Sequence, residues 1–149
     1  MPETWVHGNV FIPRLYGPDN LRNIDNIGWT DQQGLKEGHV ARFFMLDEKQ
    51  NYFHAPVPVT GQPQLLEVRV EFSSTYPRVF QAWVHAAGRV VAQTDAPVVN
   101  NIGGESIFVL GGINRPVNRG LCISLGFTTQ GQGLGPGEIN FRAAGAVFA

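Results

Sequence analysis

LLEVRVEF, residues 65–72, alternates apolar and charged side chains: Leu66, Val68, Val70 and Phe72 fall on one face, Glu67, Arg69 and Glu71 on the other. Successive side chains of an extended chain point to opposite sides, so this pattern reads as a β-strand with one dry face and one wet face. Further along, VFQAWVHA (79–86), the pair Ala87-Gly88 and RVVAQTD (89–95) read as a hairpin. TWVHGNVF (4–11), VARFFML (40–46), ESIFVL (105–110), GLCISLGF (120–127) and EINFRAAGAVF (138–148) supply further strand candidates. Eighteen glycines and ten prolines are spread through the chain, and no window of a dozen residues keeps a helical apolar period free of them. The expectation is an all-β protein, an antiparallel β-sandwich of jelly-roll type with about seven to eight strands.

At 149 residues the chain fits one domain, residues 1–149, with enough length to bury a core without disulfides or metal. The stretch from Pro13 to Gly38, rich in Asn, Asp, Gly and Gln, reads as a long loop that covers an edge or shapes a pocket. Eleven basic residues face twelve acidic ones with no run of either sign, so neither nucleic acid nor a membrane surface is an expected partner. No apolar run reaches the length of a membrane span, and MPETWVHG lacks the pattern of a secretory signal; the expected location is cytoplasmic. The single cysteine, Cys122, has no intramolecular partner and reads as a small buried hydrophobe on its strand.

Trp-Val-His occurs twice in a chain with three tryptophans and four histidines. On a strand, Trp5, His7 and Asn9 would share one row and Gln81, Trp83 and His85 another, with Phe80, Ala82 and Val84 turned to the core. An indole offers a flat apolar surface to a sugar or other ring, and a neighbouring imidazole or amide adds an oriented hydrogen bond. The competing reading is packing, in which the same residues seal the faces of the sandwich. Candidate ligand-binding residues are therefore Trp5, His7, Trp83, His85, Trp29 and Arg142. In the last strand, alternation places Ile139, Phe141, Ala143, Gly145 and Val147 on one face, and small residues at 143–146 allow a bulky group to approach beside Arg142, which is read as an ion-pair partner at the rim or a clamp for a carboxylate.

Other chemistry finds less support. His7, His39, His54 and His85, with Asp47, Glu48 or Glu138, lack the short spacings of a metal site, so no metal and no cofactor is expected. Ser73, Ser74, Ser106 and Ser124 lack a nucleophile-elbow context, and Glu67 and Glu71 read as a solvated face rather than an acid pair. GQGLGPGE (131–138) holds no Lys and leads into a strand, so it reads as a hairpin loop rather than a phosphate cradle. Gly-Gly and Pro supply turns in NNIGGES and LGGINRPVNRG, where Arg115 and Arg119 are placed to reach an acidic ligand.

Trp5-Val6-His7-Gly8-Asn9, Gly28-Trp29, NYFHAPVP (51–58), the central Trp83-Val84-His85, RGLCISLGF (119–127) and INFRAAGAVF (139–148) together resemble an uncharacterised bacterial family of small all-β proteins. The resemblance implies a sandwich and no particular activity. Three readings of function stand, in order: a non-enzymatic binding module, lectin-like or for another small ligand; a structural protein that self-assembles into a homo-oligomer; and a small enzyme with His7, His54 or His85 as general base or in a His-metal site.

Overall fold

The computed structural model describes residues 2–14, 35–131, 133 and 137–149. Thirteen strands run through them: β1 (Glu3–His7), β2 (Ile12–Pro13), β3 (Leu35–Lys36), β4 (Ala41–Met45), β5 (Gln50–Val57), β6 (Gln64–Thr75), β7 (Arg78–Ala86), β8 (Arg89–Thr94), β9 (Val98–Ile102), β10 (Glu105–Leu110), β11 (Arg115–Pro116), β12 (Leu121–Thr128) and β13 (Gly137–Phe148). Among the described residues there is no α-helix, only one 3-10 turn at Gly8–Val10. The chain is thus an antiparallel β-sandwich, as its alternation predicts, with more strands than expected. Three of them span two residues each, too short to leave a periodic signature.

One sheet has the order β3-β4-β13-β6-β10-β9, with β1 on the second half of β13 and β11 on β6; the other has the order β2-β5-β12-β7-β8. Consecutive strands repeatedly cross between the sheets, and the inner faces meet in a dense aromatic cluster. Phe141 stacks on Phe11 with ring centroids 4.0 Å apart and planes 8° apart, and Phe53, Phe127 and Phe43 surround the same ring at 5.3, 5.7 and 6.0 Å. All five rings are buried, which removes apolar area from water and supplies the dominant favourable term of the fold. The hairpin between β7 and β8 turns on Ala87 and Gly88, both at positive φ (51° and 77°), the backbone that matches strand twist in a two-residue connection.

Four expectations of strict alternation are corrected, each where the backbone departs from regular extension. TWVHGNVF is not one strand: His7 caps the 3-10 turn, its Nδ1 accepting from the Asn9 backbone N–H at 3.0 Å, so Asn9 leaves the row of Trp5 and His7. In β6 the register against β13 shifts between Leu65 and Glu67, so Leu65 rather than Leu66 points inward. In β13 the shift between Phe141 and Ala143 changes faces: Ile139 and Phe141 point in, then Ala144, Ala146 and Phe148. In β7 a shift opposite Gly126 and Phe127 turns Phe80 outward, leaving Ala82 and Val84 in the core. An extra residue in one strand of a pair does this wherever it occurs.

Candidate functional site

The five-stranded sheet presents its outer face through three neighbouring strands. On the central one, β12, Cys122, Ser124 and Gly126 point outward while Ile123, Leu125 and Phe127 are buried. Cys122 is therefore half-buried at the surface of its strand rather than inside the core as expected, because it shares the outward row. Register places His54 and Trp83 on either side of Ser124, and Tyr52 and Gln81 on either side of Gly126. With no side chain at Gly126, the rings of Tyr52 and the outward-turned Phe80 close over it edge to face at 5.7 Å; a Cβ there would meet Phe80 at 2.9 Å and Tyr52 at 3.0 Å. The bulge in β7 thus sets the Phe80 ring against Tyr52, a lining residue of the site.

Arg14, Tyr52, His54, Gln81, Trp83, His85 and Ser124 enclose a groove of about 360 Å³ on this face. The Trp83 and His85 rings, two residues apart, lie 6.1 Å apart with planes within 20°, forming a broad platform. The Tyr52 hydroxyl donates to Gln81 Oε1, and Gln81 Nε2 donates to Asp95 Oδ1 at 2.6 Å, where Gln93 Nε2 also donates at 2.6 Å. This chain of bonds fixes the amide of Gln81. His54 Nδ1 and Ser124 Oγ share a hydrogen bond at 2.7 Å, which leaves Nε2 as the second polar atom of the ring. Burial, then the Arg14 guanidinium and His85, hold the His54 pKa below its ordinary value, favouring the neutral ring. The Arg14 guanidinium lies over the Tyr52 ring, 5.6 Å from its centroid.

Of the residues singled out from sequence, Trp83 and His85 are brought together here. Trp5, His7 and Arg142 lie on the eight-stranded sheet, so the two Trp-Val-His rows sit on opposite outer faces and do not meet. Trp5 covers Gly145, where a Cβ would come within 2.5 Å of its ring, and donates Nε1–H to Glu3 at 3.0 Å; the small-residue patch of β13 receives this indole from the neighbouring strand. With its Nδ1 accepting from Asn9, His7 donates Nε2–H to the Gly38 carbonyl at 3.1 Å. Arg142 donates to Glu105, the rim ion pair that was one of its two expected roles. Trp29, most of the stretch from Pro13 to Gly38 and part of 131–138 lie outside the described residues. Arg119 lines a second cavity of about 590 Å³ with Arg89, Gln62 and Asn118, at the far end of the β7–β8 hairpin. Among the described residues no three His, Cys, Asp or Glu side chains group as metal ligands.

Sequence reasoning missed Arg14 and Tyr52 altogether and considered His54 and Ser124 only as a base, metal ligand or nucleophile. Only the pairing of β2 with β5, and of β5 and β7 with β12, brings these positions together, and local patterning carries no signal of that pairing.

No family model matches the chain, and no curated protein does. Among solved structures, it is similar to the CBM36-1 domain of a multidomain xylanase from the hindgut metagenome of Trinervitermes trinervoides (11% identity, TM-score 0.48, covering 99% of this chain and 98% of that one). It is also similar to the carbohydrate-binding module CBM36 in complex with calcium and xylotriose (11%, 0.45, covering 98% and 99%). A third is the low-affinity xylan binding module CBM86 from Roseburia intestinalis (8%, 0.46, covering 100% and 97%).

Proposed function

We propose that the chain is a non-catalytic carbohydrate-binding module whose ligand lies in the groove on the outer face of the five-stranded sheet. The observation that carries this reading is the half-buried Trp83 indole set among side chains whose hydrogen bonds already hold them in place. A sugar ring has an apolar face that matches an indole and a rim of hydroxyls that need oriented donors and acceptors. Groups locked before the ligand arrives spare it part of the entropy of ordering them.

The His54–Ser124 pair raises a catalytic alternative, and the surroundings of Ser124 argue against it. Ser124 is 4% exposed, and β12 is paired on both sides, with β5 and with β7. Its neighbouring backbone N–H groups are directed into the ladders rather than toward the groove, where an oxyanion would need them. Ser124 serves better as the partner that orients His54.

Calorimetric titration with a panel of oligosaccharides tests the reading. Trp83→Ala is expected to weaken binding by at least about 2 kcal/mol, roughly thirtyfold, with an unchanged circular dichroism spectrum. Trp5→Ala, on the opposite face, is expected to leave affinity as it was. Loss of binding in Trp5→Ala alone would move the site to the other sheet, and the absence of any Trp83-dependent binding would overturn the proposal.

A further inference from the structure

Resting on the reading of the groove as a glycan site, we infer that its ligand is an acidic oligosaccharide, with one ring on Trp83 and a carboxylate of another ring paired with Arg14. The lining of the groove holds one guanidinium and two imidazoles and no carboxylate. The carboxylate behind its wall, Asp95, has one oxygen occupied by the amides of Gln81 and Gln93. Arg14 has no ion-pair partner among the described residues. Its backbone N–H donates to the Tyr52 carbonyl at 2.7 Å, and its guanidinium rests on the Tyr52 ring. Both root and head are therefore placed, and a planar fork presented on an aromatic face suits bidentate pairing with a carboxylate. Arg14 is exposed, so a ligand with neutral hydroxyls alone would leave its guanidinium paired with water rather than with an anion.

The spacing sets the size of the ligand. Arg14 follows β2 and its guanidinium lies over Tyr52 of β5, two strands from Trp83 of β7, and strands two apart in a sheet are separated by about 10 Å. A chain of sugar rings spans that distance where a single ring does not. His54, with Ser124 on Nδ1, stands between the two with its Nε2 left for a ring hydroxyl.

The test compares acidic oligosaccharides with their methyl esters, which keep ring, linkage and length and lose only the charge: trigalacturonate, trimannuronate and a hyaluronan tetrasaccharide, beside neutral xylohexaose and cellohexaose. At least one acid should bind tenfold or more tighter than its ester, with the ratio shrinking as salt is added. Arg14→Gln should bring that ratio near one, and Arg14→Lys, which keeps the charge and loses the fork, should retain part of it. An ester that binds as tightly as its acid, or a ratio that survives Arg14→Gln, overturns the inference while the glycan reading stands. Binding of the neutral hexaoses through Trp83 with no acid bound does the same. No Trp83-dependent binding by any member overturns both.

Discussion

His54 is held by two demands on one ring: burial beside Ser124, and proximity to Arg14 and His85, all of which disfavour its protonated form. Its folded pKa lies below the usual 6.5 or so, so as pH falls through that value the unfolded chain takes up the proton first. The native state should therefore lose stability progressively below about pH 6.5, until the folded pKa is passed. Melting temperatures between pH 7.5 and 5 should show this slope, and His54→Gln should flatten it. An imidazole titration by NMR at or above the ordinary value would contradict it. Glycine makes a second demand at the same scale. A Cβ at Gly8 would fall on the Phe141 carbonyl oxygen, backbone that has no room to yield, whereas one at Gly38 meets nothing within 4 Å. Gly8→Ala should therefore destabilise by about 3 kcal/mol or more in urea unfolding, and Gly38→Ala by less than about 0.5 kcal/mol.

Stretches between irregularities are legible in the amino-acid sequence itself: the alternation of residues 67–72, the turn joining β7 to β8, and the outward row of Gln81, Trp83 and His85. The places where one residue is added to a strand are not. The bulges at Leu66, Phe80 and Arg142 each reverse which side chains point inward, and a period-two pattern passes through them without a mark. β5 is hidden for another reason, since Pro56 and the polar residues Asn51 and His54 break its apolar pattern although its alternate positions are buried. The hairpin offers a test at this scale. Ala87 holds φ 51°, a left-handed backbone in which alanine is strained and asparagine is at ease. Ala87→Asn should raise stability by about 0.5–1 kcal/mol, seen as a higher urea midpoint at unchanged slope. Gly88→Ala, at φ 77°, should lower it by about 1 kcal/mol or more.

Across the molecule, the Phe141 cluster couples both sheets and the N-terminal segment, while the groove and the Trp5 patch occupy opposite outer faces with that core between them. One ligand cannot engage both tryptophans, so binding at Trp83 reaches the rest of the chain only through the folding equilibrium. A ligand that binds only the native state adds about 2.7 kcal/mol at one hundred times its dissociation constant. For a chain of 149 residues this corresponds to a rise in melting temperature of roughly 5–10 °C. Measured with the tightest oligosaccharide of the titration, that rise should vanish in Trp83→Ala. In Trp5→Ala it should persist from a lower starting point, because that indole packs on Gly145 and joins β1 to β13. Phe141→Ala should lower the starting point furthest, by about 3–5 kcal/mol of stability, and still show the rise wherever the protein is folded. A rise that disappears in Trp5→Ala while surviving in Trp83→Ala would mean that the eight-stranded sheet, not the groove, holds the ligand.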